Sequence, residues 1–370
     1  MRAGSIAATA IALEDIMPVK MLFVIGAPRS GTTMIERILS SHSMILGGPE
    51  PHLLTPLAHM GYWGKVDKAP YDHILAAEAQ RSFVGALPNK EQDYWDACRA
   101  YCDTLYGRYL STSNKSVCLD KTPAYALVLP FIARVFPDAK YVVLTRHPLA
   151  LFSSYADSFF DGNYEAAHNY NPILNRYVPA LAAFLRRTEP PHFHIRYEDL
   201  VRDPEPWMRQ IYSYIGVPFE KDTIDYGKNA DEGARRRLSP VQPPTSRKGL
   251  GDPIGVRQHT RPTTDSVKKW VEDLAGDPAK LNLMRRVVLQ LDPEDLGTLG
   301  YPLDTLWKPM EEVQGKTITR RKAILRKAIL TRYRIERKLI VALRRRAQKR
   351  GLFRKLLEKT CLACDVLLRE

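Results

Sequence analysis

The stretch Gly26-Ala-Pro-Arg-Ser-Gly31-Thr32-Thr33 has the spacing of a phosphate-binding loop: two glycines separated by four residues, then a pair of hydroxyl residues. Set between a strand and a helix, such a loop aims main-chain N–H groups and the positive end of the helix at an anion. Nucleotide-hydrolysing loops carry Lys directly after the second glycine, where it reaches the β- and γ-phosphates. Here that residue is Thr32, and Arg29 inside the loop is the cation instead. The loop is therefore suited to a phosphate-like group without the usual Lys–Mg²⁺ apparatus. A second stretch, Leu-Thr-Arg146-His-Pro, follows an apolar run and is trailed by Ser154, a pairing that can grip another phosphate by charge-assisted hydrogen bonds. A third, Arg247-Lys248-Gly249-Leu250-Gly251-Asp252, joins two cations to glycines that permit close backbone approach. Taken singly, Arg146 reads equally as a surface ion-pair partner and Arg247-Lys248 as solvated loop charge.

These residues need a scaffold that brings them together, and the pattern supplies one. Met21 to Gly26 is a continuous apolar run, which predicts a strand buried on both faces, and Thr32 to about Ser41 reads as the helix after it. Further strands are expected at Val117–Leu119, Lys140–Thr145 and Phe193–Tyr197. Helices are expected over residues 125–136, 149–160, 170–187 and 204–215, near Asp265, and over 279–291. Residues 70–110 read as helix rich in aromatics. Alternating strand and helix predicts an α/β three-layer fold with a parallel sheet, in which strand C-terminal ends face the ligand. Residues 220–262 are rich in Pro, Gly, Arg and Lys and lack a period, which predicts a long functional or disordered loop. The expected organisation is a leader over 1–20, one domain over 21–305 and a tail over 306–370.

Taken together, the motifs resemble those of sulfotransferases that use 3′-phosphoadenosine 5′-phosphosulfate (PAPS). Pro28-Arg-Ser-Gly-Thr-Thr33 looks like that family's 5′-phosphosulfate loop, and Tyr141 to Ser154, with Arg146 and Ser154, like its 3′-phosphate element. Arg247-Lys248-Gly249 is similar to the late Arg-Lys-Gly motif of cytosolic members, with one residue fewer before Gly-Asp. Arg29, where those members carry Lys, and Ile195-Arg-Tyr-Glu-Asp-Leu200 lean towards the bacterial and protein-tyrosine branch. The resemblance implies a fold like that of P-loop nucleotide hydrolases, PAPS as co-substrate and 3′,5′-adenosine bisphosphate (PAP) as product. It implies that Ser30, Gly31, Thr32 and Thr33 hold the phosphosulfate, with Tyr197 and Arg196 supporting the nucleotide region. Core packing is the equal alternative for Tyr197.

Sulfuryl transfer builds negative charge on the leaving phosphate, so cations near the bridging oxygen lower its barrier. Arg29 and Lys121, in Asp120-Lys-Thr-Pro123, are the candidates, with an Asp120–Lys121 ion pair as the plainer reading of Lys121. The acceptor must also lose a proton. Glu50, in Gly47-Gly-Pro-Glu-Pro-His52, matches the base of the protein-tyrosine branch, with His52 as runner-up and an exposed turn as the plain alternative. Thr263, in Thr-Thr-Asp-Ser-Val267, resembles a Ser-Thr-Asp motif that reaches the active site. Trp270 reads as core or adenine-side packing. No His or Cys pair has convincing metal-ligand spacing, and no metal is expected.

The chain has 370 residues and a formal charge of +14, from 55 basic and 41 acidic residues. The 45% hydrophobic content excludes a wholly disordered chain, a collagen or a disulfide scaffold. Residues 316–370 hold 19 basic and 4 acidic residues, leaving 36 and 37 in the rest. The body is thus near neutral, and no nucleic-acid partner is expected. Residues 317–350 lack Pro and Gly and set an apolar stripe on a basic surface. That pattern reads as a peripheral membrane contact or a partner helix, and equally as a helix folding onto the body or forming a homodimer. Five cysteines and no run of about 18 apolar residues predict a cytoplasmic chain. The acceptor stays open among small molecules, lipids, carbohydrates, carrier-bound chains and peptide tyrosines, with residues 52–115 and 160–180 expected to shape its pocket. The competing functions are a P-loop phosphotransferase, disfavoured by Thr32, and an inactive docking scaffold, disfavoured by the joint presence of the site residues.

Overall fold

The apolar run becomes β1 (Met21–Ile25), with all five residues buried. It is the middle strand of a parallel sheet ordered β2-β3-β1-β4-β5, with β2 at Ile45–Leu46, β3 at Val117–Asp120, β4 at Lys140–Thr145 and β5 at His192–Arg196. The computed structural model describes residues 18–48, 50–64, 72–227, 260–275 and 277–313. Most of the expected leader, the Arg247–Asp252 motif and tail residues 314–370 lie outside the described residues.

In chain order, the helices before β5 are α1 (Thr32–Ser40), α2 (Leu54–Ala58), α3 (His73–Gly85), α4 (Glu91–Leu110), α5 (Leu129–Val135), α6 (Pro148–Phe159), α7 (Tyr164–Asn169) and α8 (Val178–Leu185). After β5 come α9 (Tyr197–Arg202), α10 (Pro204–Ile215), α11 (Lys269–Leu274), α12 (Pro278–Val288), α13 (Pro293–Thr298) and α14 (Leu303–Glu312). Strand side chains alternate between faces, so β1 feeds two cores. Leu22 and Val24 pack with Ile35 and Ile38 of α1 and Ile211 and Tyr212 of α10. Phe23 and Ile25 face the larger core, built from α4, α5, α6, α8 and the C-terminal helices. Phe23 stacks on Tyr141 of β4 at 5.5 Å. This is the expected α/β three-layer architecture.

The structure adjusts several boundaries. β2 has only two residues, too few for a hydrophobic run to mark, and Ile45 pairs with Val117. Residues 170–187 do not form one helix: a π turn over Ile173–Tyr177 precedes α8, whose first turn holds a proline. Proline lacks an N–H and cannot continue the ladder. The expected helix over 125–136 divides likewise into a 3₁₀ turn, Pro123–Leu127, and α5. Past residue 305, α14 buries Leu306 and Met310 in the larger core.

From β1 the chain builds β2 and β3 on one side, then crosses back to build β4 and β5 on the other. Ligands of such sheets bind at this reversal, beyond the strand C-terminal ends. Gly26, Lys121 and Arg146 directly follow β1, β3 and β4, so the topology alone gathers three of the expected residues.

Candidate active site

Gly31 starts α1 with φ at 94°, and a Cβ there would lie 2.6 Å from Cδ2 of Tyr197. Both constraints call for glycine. Arg29 also has positive φ, at 72°, a conformation that is uncommon and strained outside glycine. Two contacts hold it. Arg146 Nη1 donates to the Arg29 carbonyl at 2.9 Å, and Arg29 Nε donates to Ser154 Oγ at 3.1 Å. No side chain caps α1 and its first turn carries no acid, so the positive end of the helix dipole is left for a ligand.

Arg146 is the centre of this half of the site. Its Nη2 donates to the Ser266 carbonyl at 2.9 Å, and the Tyr197 ring lies 4.5 Å from its guanidinium carbon. The residue is only 9% exposed. Burial draws its pKa down, and Arg29 adds to this while Tyr197 and Glu198 oppose it. Its Nε is buried without a hydrogen-bond partner, as is Ser30 Oγ in the loop. Buried polar atoms are almost always paired, so two such atoms beside a helix start mark a place that an anion would complete.

The other half of the site lies across β1. Lys121 Nζ donates to Glu50 Oε1 at 2.5 Å and reaches Thr33 Oγ1 at 3.4 Å. The second Glu50 oxygen is 3.5 Å from Nε2 of His52, which is half exposed and has φ at 52°. Glu50 is therefore no free turn residue, and Lys121 takes Glu50 rather than Asp120 as its ion-pair partner. The Asp120 carboxylate accepts from Tyr106 at 2.5 Å, Tyr125 at 2.9 Å and Thr122 at 3.0 Å. Burial pushes Asp120 up to about 6, although those hydrogen bonds and Lys121 pull the other way.

Other expected residues are placed differently. Thr263 is half-buried, and its segment meets Arg146 and Tyr197 through Ser266. Arg196 donates to Asp199 at 2.6 Å and to the Gly300 carbonyl at 3.0 Å, tying β5 to the C-terminal helices. Trp270 stacks on His147 at 4.7 Å within the larger core. Tyr197 is buried and lies against Arg146 and Gly31. Arg247, Lys248 and Gly249 lie outside the described residues. Reasoning from sequence missed Ser266, Glu198 and the Asp120 cluster; only the acidic Tyr-Glu-Asp after β5 offered a signal. Glu198 accepts from the His147 N–H at 3.0 Å and from Tyr301 at 2.5 Å, so it fixes the turn that carries Arg146. Among residues 52–115, Tyr62, Trp63, Arg81, Lys90 and Trp95 help line a cavity of about 720 Å³.

The arrangement can do two things. Arg29, Arg146, Ser154 and the start of α1 can bind an anion, and Lys121 and Glu50 place a cation and a carboxylate at its edge, next to Thr33.

The chain is 33% identical over 143 residues to nodulation protein NoeE of Sinorhizobium fredii, a match covering 38% of this chain and 32% of that protein. The aligned part is thus about a third of that relative's length. Protein-tyrosine sulfotransferase 1 of Danio rerio is 22% identical over 282 residues, covering 75% of this chain and 72% of the relative. Among solved structures, the sulfotransferase domain from the curacin biosynthetic pathway aligns at 21% identity over 77% of this chain and 98% of that chain, with a TM-score of 0.46. The model of the sulfotransferase family matches residues 22–221, from β1 through α10 and over more than half of the chain, and the chain belongs to that family.

Proposed function

We propose that this chain moves a sulfuryl group from PAPS to a hydroxyl or amine of an acceptor, with Glu50 as general base. The observation that carries the reading is the pair of buried, unpartnered donors, Ser30 Oγ and Arg146 Nε, beside the uncapped start of α1. A donor bound there puts its phosphosulfate over Thr32 and Thr33, beside Lys121 and Arg29. The acceptor oxygen attacks sulfur and its proton passes to Glu50. The bond from sulfur to the 5′-phosphate oxygen breaks, and the electron pair stays on the phosphate. Lys121 lies between Thr33 and Glu50; turning to the leaving oxygen, it stabilises the charge that develops and frees Glu50 Oε1 for the proton. Arg146 and Ser154 hold the 3′-phosphate, with Arg247, Lys248 and Gly249 as further contacts. No metal is required. The name of the zebrafish relative favours a phenolic hydroxyl as one acceptor class. Thr32, standing where a phosphotransferase loop needs Lys, weighs against that alternative.

Calorimetry tests the donor: tight binding of PAP with no binding of ATP–Mg²⁺ is expected, and the reverse result sinks the proposal. Among the described residues no helix is long and apolar enough to cross a membrane. We place the chain in the cytoplasm, with residues 317–350 docking it to an anionic membrane surface. Truncation after Val313 should then leave PAP affinity unchanged and reduce sedimentation with phosphatidylserine vesicles. Equal sedimentation of the two forms would remove the membrane role.

A further inference from the structure

The segment that carries Glu50 is tied down at both ends by tyrosine hydroxyls. Tyr109 of α4 donates to the Gly47 carbonyl at 3.1 Å, and the Leu54 N–H, where α2 begins, donates to Tyr125 Oη at 3.1 Å. Tyr125 in turn donates to Asp120, as does Tyr106, one turn before Tyr109 on α4. Asp120 is 2% exposed and immediately precedes Lys121 at the end of β3. We infer that Asp120 is the positioning residue of the Lys121–Glu50 pair, fixing Lys121 through the strand end and Glu50 through Tyr125 and Leu54. This rests on the transfer reading proposed above and adds to it a residue that touches neither substrate.

The titratable groups around Asp120 are Lys121, Tyr106, Tyr125, Tyr109, Cys102 and Cys118. Burial pushes the three phenols and both thiols upward, so they stay neutral between pH 5 and 8. Glu50 lies beyond Lys121. Asp120 itself is raised from 3.8 to about 6, so its charged form is penalised in the folded state. Any stability this gives is present at low pH and is lost as pH rises through about 6. Asn at this position has no such dependence.

The test measures PAPS cleavage, with water and with 4-nitrophenol as acceptors, in Asp120→Asn and Tyr125→Phe. Both variants should lower kcat roughly 10- to 100-fold, the size of loss expected from a misplaced reacting group, while PAP affinity is retained. From pH 5 to pH 8 the melting temperature of Asp120→Asn should rise relative to wild type, while its relative kcat falls. A carboxylate that only supports the fold would lose stability and rate together. Wild-type kcat in both variants would overturn the positioning role. Tyr125→Phe keeps the test decisive should Asp120→Asn fail to fold. If the wild type binds PAP yet cleaves PAPS with neither acceptor, the transfer reading fails instead.

Discussion

Replacing Glu50 by Gln should reduce sulfuryl transfer by about 10²- to 10⁴-fold, the usual contribution of a positioned general base, and leave PAP binding nearly unchanged. Gln keeps the shape of the side chain and an oxygen for Lys121, which now sits 2.5 Å from the carboxylate, but it cannot accept the acceptor's proton. PAP lacks the sulfuryl group, so its grip falls on the start of α1, Arg29 and Arg146. A Glu50→Gln variant with full turnover would end the base assignment. His52 would then be examined, since its Nε2 is 3.5 Å from the second carboxylate oxygen. While Glu50 is the base, His52→Gln should cost only a few-fold, because that ring is more than half exposed. Lys121→Ala should also lower kcat, through the leaving group. Since Lys121 and Glu50 form one hydrogen-bonded unit, the double variant should lose much less than the product of the two single losses.

Residues whose role follows from the local chain were legible in advance, and those whose role follows from a distant contact were not. The strand–loop–helix at 21–40 is written in an apolar run, a glycine spacing and a hydroxyl pair, all within twenty residues, and the structure reproduces it almost to the residue. Arg146 and Lys121 could be placed because each closes an apolar run, and a parallel sheet sends all such ends to one edge. Nothing near Asp120 in the sequence says that its partners are Tyr106 and Tyr125 rather than its neighbour Lys121. That outcome depends on how α4 crosses the sheet, and so on packing of Cys98, Cys102 and Tyr106 into the larger core. Strand β2 was invisible for the same reason. Its two residues pair with Val117 and Cys118 of β3, beside carbonyls of Ser40 and Ile45 that accept from Lys115 at 2.9 Å and 2.8 Å, contacts that no local pattern encodes. Ser266 was overlooked because its main-chain carbonyl meets Arg146, and a carbonyl has no sequence signature.

Arg146→Ala should weaken PAP binding by about 2–4 kcal/mol, the range for removing one member of a buried charged contact. That is a loss of about 30- to 1,000-fold in affinity. Two mechanisms would produce it, and a second nucleotide separates them. If the unpartnered Nε and the charge grip the 3′-phosphate, adenosine 5′-phosphate never had that contact. Its affinity should then fall by only a few-fold in the variant. If Arg146 acts instead by holding the Arg29 carbonyl, and with it the positive-φ loop, both nucleotides should lose equally. The geometry favours the first, because Ser154 also holds Arg29 in place and would keep the loop when Arg146 is gone. Arg146→Lys should fall between wild type and Ala: it keeps the charge over Tyr197 but has no planar fork to reach the Arg29 and Ser266 carbonyls together. Protein stability should change little in Arg146→Ala, since two lost hydrogen bonds are set against relief of a buried cation. PAP affinity within a few-fold of wild type in that variant would remove Arg146 from the binding site, and with it one of the two buried donors on which the donor assignment rests.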